Sequence, residues 1–112
     1  MLNPFEMFGK IKEMQEAMKK TKERLDQITV EGEAGGGMVR VLANANRKVL
    51  KITVDPAIIN KEDPELMNDL IAAAVNQVLE KAEALGRDEI SKVTKDHLPN
   101  IPGLDLSKLG LG

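Results

Sequence analysis

The 112-residue sequence contains no cysteine, no tryptophan and no tyrosine. The first absence excludes disulfides, thiolate nucleophiles, Fe–S clusters and cysteine-based zinc sites. The other two leave 2 phenylalanines as the whole aromatic content. A core must then be built from Leu, Ile, Val, Met and Ala, which suits helix packing better than a β-sandwich. With no Tyr or Trp, and with Phe5 and Phe8 at positions beside the seam of the first helix, stacking on single-stranded nucleic acid is not expected. The only histidine, His97, sits in Lys-Asp-His-Leu-Pro and reads as a solvated residue, because a general base needs a fixed neighbourhood. No apolar run approaches the ~18 residues of a membrane span, and charges near the N-terminus stand where a signal peptide needs its apolar stretch, so the expected setting is the cytoplasm. With 42% hydrophobic and 30% charged residues, the composition is that of a globular protein. A chain this long is expected to bury roughly 65% of its unfolded surface around one modest core.

Residues 7–28 carry Met7, Ile11, Met14, Met18, Thr21, Leu25 and Ile28 at alternating spacings of four and three, a heptad seam that predicts a long first helix. Asn3 followed by Pro4 is a suitable N-cap and first-turn pair. The period then changes to two. Residues 29–34 alternate Thr29, Glu31, Glu33 with Val30, Gly32, Ala34, and Gly35-Gly36-Gly37 supplies a turn that takes positive φ without steric cost. Residues 38–44 read as a second strand with Val39, Val41 and Ala43 on one face, residues 44–48 as a turn, and residues 49–55 as a third strand with Leu50, Ile52 and Val54 sharing a face. Two hairpins in series make an antiparallel meander. Asp63-Pro64-Glu65 starts a second long helix, whose stripe of Leu66, Met67, Leu70, Ile71, Ala74, Val75, Val78, Leu79, Ala82 and Leu85 is too wide for a helix resting on a surface. Gly86 either ends that helix or lies inside one reaching about residue 94. The order α-β-β-β-α gives the class α+β, with two long helices flanking a three-stranded meander. Residues 1–97 are read as a single α+β domain. Residues 98–112, rich in Pro and Gly, are read as a flexible C-terminal tail.

No catalytic constellation emerges, so the expectation is a protein that is not an enzyme and takes no small-molecule substrate and no cofactor. Ser91 and Ser107 have no histidine or lysine at a nucleophile's spacing. Glu62, Asp63, Glu65 and Asp69 cluster at a helix start, where dipole complementarity accounts for them without a metal. The triple glycine joins two strands and lacks the lysine and hydroxyl of a P-loop. What remains is charge. The net charge of −2 speaks against a general polyanion binder, but between residues 10 and 24 there are six basic residues (Lys10, Lys12, Lys19, Lys20, Lys22, Arg24) against three acidic (Glu13, Glu16, Glu23). Seven residues make almost two helical turns, so Lys12 and Lys19 fall in line with Lys20 and Lys22 to either side. Arg40, Arg47, Lys48 and Lys51 add a second basic surplus, while residues 62–89 are acidic. Such segregation suits contact with duplex phosphates, and an ordinary solvated helix face would look the same.

Four stretches decide between those readings by resemblance: Val30-Glu31-Gly32-Glu33-Ala34-Gly35-Gly36-Gly37-Met38-Val39, then Ile52-Thr53-Val54-Asp55-Pro56, then Glu62-Asp63-Pro64-Glu65-Leu66, then Asp69-Leu70-Ile71-Ala72-Ala73-Ala74-Val75-Asn76. Together with the Met- and Lys-rich first helix and the short Pro/Gly/Leu tail, they resemble the YbaB/EbfC family of bacterial nucleoid-associated proteins over nearly the whole chain. The resemblance implies a tweezer-like homodimer whose helical arms bind double-stranded DNA, located on the nucleoid. The chain departs from the family at Asn44-Ala45-Asn46-Arg47-Lys48, which lacks the Asn-Gly often found there and leaves the turn type open.

On this reading the DNA-binding candidates are Lys10, Lys12, Lys19, Lys20, Lys22 and Arg24, with Lys92 and Lys95 as secondary ones. Met38, Arg40 and Leu42, on one face of the second strand, are the candidates for the dimer interface. The rival reading is a protein–protein interaction module that uses the heptad seam or the acidic second helix, with DNA binding incidental.

Overall fold

The computed structural model describes residues 3–97; the expected tail at residues 98–112 and the side chain of His97 lie outside them. Helix α1 spans Pro4–Leu25. The Asn3 side chain accepts a hydrogen bond from the Glu6 backbone N–H at 2.8 Å and Pro4 occupies the first turn, so the expected cap is present. The helix ends at Leu25 with Asp26 as C-cap, one seam position earlier than the heptads imply. Ile28 belongs to the connection, where its carbonyl accepts from the Ala45 N–H.

Strands β1 (Thr29–Ala34), β2 (Val39–Asn44) and β3 (Val49–Val54) form one antiparallel sheet in sequence order. Met38 lies in the glycine turn and precedes β2. Gly35, Gly36 and Gly37 all have positive φ, the conformation that three successive glycines supply without strain. A short 3-10 turn, Pro56–Ile58, is capped by Asp55 and turns Ile58 into the core.

Helix α2 then runs without a break over Pro64–His97. At 1.5 Å per residue it is roughly 50 Å long. Gly86 lies inside it. A Cβ there would sit 3.3 Å from the Ala45 carbonyl, so the glycine lets the helix approach the β2–β3 turn closely.

The core forms where α2 crosses β1 and β2. Val39, Val41 and Ala43 from β2 meet Ala74 and Val78 from α2. Gly32 sets the separation: a Cβ on it would stand 2.7 Å from the Ala74 carbonyl and 2.8 Å from the Val78 Cβ. Helix α1 packs on α2 beyond the sheet, Leu25 near Gly86 and Arg24 paired with Glu89. The two helices thus lie side by side in opposite directions, with Thr21 and Thr94 buried along them. Thr94 satisfies its hydroxyl by donating to the Ile90 carbonyl at 3.0 Å.

Candidate nucleic-acid interface

The seam of α1 divides its surface. Thr21 and Leu25 are buried, Met14, Ala17 and Met18 half-buried. Taking ~100° per residue from that inward line, Lys12 and Lys19 point almost directly outward, Lys20 and Lys22 lie on opposite flanks, and Arg24 falls at the edge nearest α2. Lys10, Lys12, Lys19, Lys20, Lys22 and Arg24 are all exposed. Among the described residues, Arg24 is the one of these six held in an ion pair, to Glu89. Both partners of that pair are partly solvated, so it orients the two helices more than it stabilises them. Of the two secondary candidates, Lys92 reaches the same Glu89 at 3.5 Å and Lys95 is exposed. The sequence-derived set therefore does not form a single row. It wraps three sides of α1, with Arg24 and Lys92 brought together on one carboxylate.

The β2–β3 turn closes the base of α1. Arg47 donates its N–H to the Asn44 carbonyl at 3.0 Å, and Asn44 Oδ1 accepts from the N–H groups of Asn46 and Lys48. Arg47 has φ 66°, so the loop is the three-residue type that ends in a left-handed residue. That settles the turn type left open by the sequence. Asn46 Nδ2 donates to the Lys22 carbonyl at 2.8 Å and to Asp26 Oδ1 at 2.6 Å, so the turn is tied to the helix end by side-chain hydrogen bonds.

On the sheet, Arg40 is exposed opposite Glu33 and Thr53, and Leu42 is half-buried opposite Glu31 and Lys51. Met38 packs in part against the core cluster instead of standing clear on Arg40's face. The larger apolar exposure is elsewhere: Val49, Leu50 and Ile52 of β3 are bare. The sequence reading gave Leu50, Ile52 and Val54 one shared face; the register puts Ile52 opposite Val41 and Val54 opposite Val39 but shifts beside Leu50, which has no partner on β2, and α2 scarcely reaches that strand. The signal was available: a helix about 10 Å across covers two strands ~4.8 Å apart, and the meander has three.

Among the described residues, no group of three or more His, Cys, Asp or Glu is placed to hold a metal ion, and no helix is long and apolar enough to cross a membrane. What the described residues offer is a set of exposed cations along α1.

Comparison with known proteins points the same way. The model of the YbaB/EbfC DNA-binding family matches residues 1–97. A protein of Dictyoglomus thermophilum named nucleoid-associated protein is 40% identical over 104 residues, covering 93% of this chain and 99% of its own. One from Caldanaerobacter subterraneus with the same designation is 44% identical, covering 88% of this chain and 86% of its own. In structure, the chain resembles an uncharacterized protein of Helicobacter pylori with a TM-score of 0.73 at 20% identity, covering 79% of this chain and 92% of that one; a likeness at that identity speaks to the fold.

Proposed function

The chain belongs to the YbaB/EbfC DNA-binding family, and from that premise we propose that it binds double-stranded DNA on the nucleoid as a homodimer, gripping phosphates with the cations of α1. The carrying observation is that Lys10, Lys12, Lys19, Lys20 and Lys22 are exposed on one helix and enter no ion pair among the described residues. Unpaired cations on a rigid support are what counterion release requires. The relatives' designation as nucleoid-associated proteins supports the location, and a role in organising the nucleoid or regulating genes would follow from it. Lys92 and Lys95 extend the same basic region along α2. Binding of this kind positions a protein without reading bases.

The homodimer is supported by the bare strand. β3 is a sheet edge with Leu50 48% and Ile52 44% exposed, and edges of that kind are normally covered. The subunit contact we propose takes in β3 together with the neighbouring Met38, Arg40 and Leu42.

Electrophoretic shift titrations on mixed duplexes test the DNA reading. The expected result is retention at ~50 mM salt, with log affinity falling against log salt by about 0.9 per phosphate engaged. Lys12→Glu with Lys19→Glu should abolish it while leaving secondary structure and self-association intact. Absence of retention for the unaltered protein, or retention indifferent to salt, refutes the reading.

A further inference from the structure

At the foot of α1 the β2–β3 turn and α2 enclose a solvent-open cleft of about 400 Å³, lined among others by Lys22, Asn46, Arg47, Gly86 and Arg87. We propose that this cleft is a second phosphate-binding site, continuous with the cations of α1 and centred on Arg47, that takes the sugar–phosphate backbone of the same duplex. The inference rests on the duplex-binding reading above and adds residues which that reading does not contain.

Its first support is backbone conformation. Arg47 is the one non-glycine residue with positive φ among the described residues, at a loop position where glycine or asparagine is the unstrained choice. A side chain kept there at conformational cost needs a reason beyond turn formation. The second support is how firmly the position is held. Ala45 N–H donates to the Leu25 and Ile28 carbonyls, and Asn46 is tied to Lys22 and Asp26 on α1. The guanidinium is thus carried on a turn fixed to the helix it would assist. The third is charge. Three cations, Lys22, Arg47 and Arg87, face one carboxylate, Glu83, which is paired with Arg87 at 3.1 Å. Lys22 and Arg47 have no ion pair among the described residues, and an arginine fork matches phosphate geometry. Lys22 also lines the adjoining cleft along α1 together with Lys19, where Glu23 and Asp26 stand beside them, so Lys22 links the cations of the arm to the Arg47 cleft across a stretch of mixed charge.

Arg47→Gly tests this, because conformation and charge pull it in opposite directions. Glycine suits the left-handed position, so the variant should melt at the same temperature or higher and self-associate as before. Its affinity for duplex DNA should nevertheless drop about three- to tenfold at ~100 mM salt, and the slope of log affinity against log salt should become shallower by about 0.9. Arg47→Lys should recover most of the affinity. Unchanged affinity and slope in Arg47→Gly overturn the proposal, as does a drop that comes with lost self-association or a lower melting temperature. If the unaltered protein fails to bind duplex, both readings fall. If it binds and Lys12→Glu with Lys19→Glu abolishes retention while Arg47→Gly changes nothing, the cleft alone is refuted.

Discussion

Under α2 the sheet is packed to contact: Val39, Val41 and Ala43 of β2 are wholly buried, and Gly32 of β1 brings the helix in so close that no Cβ would fit. One strand further over, β3 offers the same kinds of residue, with its alternation interrupted where the register shifts at Leu50, and Leu50 and Ile52 stand nearly half exposed. Alternation decides which face of a strand a side chain takes. Whether that face is covered depends on the width of what lies over it, and here a single helix is the cover. The covered half stabilises the chain, while the bare half stays exposed in the single chain. Helix α1 repeats the division along its length, with Leu25 at 1% exposure near the sheet and Met7 at 46% towards the other end.

The largest effect that separates the halves is expected at Gly32. Val at this position drives branched carbons into the Ala74 carbonyl and Val78, and the cost should reach about 3 kcal/mol, the upper part of the usual range for overpacking. Urea denaturation followed by circular dichroism measures it. Out of a total of ~5–15 kcal/mol for a domain, this is a large fraction. A cost below ~1 kcal/mol would mean that α2 can lift off β1 easily, and the contrast between covered and bare strands would lose its basis.

Much of the covered half was legible in the sequence. Residues 29–34 alternate so regularly, and Gly35-Gly36-Gly37 punctuates so firmly, that β1 and its turn could be read without a structure; the same holds for Asn3-Pro4 at the start of α1. What escaped was coverage. The α2 stripe is continuous from Leu66 to Leu85 in sequence, but only Ala74, Val78 and Ala82 are fully buried and Leu66 is 51% exposed, because a helix touches a sheet along one line. Ile58 was missed too, since it enters the core from a short 3-10 turn with no period to reveal it. In the candidate site, the types and exposure of the α1 cations were readable. Arg47 was visible as a charge, but its placement beside Lys22 is a long-range consequence of Asn46 bonding to α1.

A smaller effect, on association in place of folding, is expected on β3. Leu50→Lys with Ile52→Lys places two cations on the edge and leaves the core cluster untouched. Sedimentation velocity should show self-association weakened at least tenfold, about 1.4 kcal/mol, with the unfolding midpoint of the dilute chain nearly unchanged, because charged edges discourage strand pairing. A dimer of undiminished affinity would shift the proposed contact from β3 towards Arg40 and Leu42.

The smallest effect belongs to the outer half of α1, and it sharpens the comparison most. Ile11 is 48% exposed on the same heptad seam that buries Leu25, so sequence spacing treats the two alike while the single chain does not. Ile11→Gln should change the stability of the dilute protein by less than ~0.5 kcal/mol, as surface substitutions usually do. The measurement is a urea midpoint taken at low and at high protein concentration. A null result at both keeps the outer seam as free surface beside Lys10 and Lys12. A cost that appears only at high concentration means that the seam is covered by another copy, since mass action makes the stability of an associated surface depend on concentration. In that case the arms meet along their apolar lines, and Lys12 and Lys19, on the far side of the helix from that line, stay turned outward.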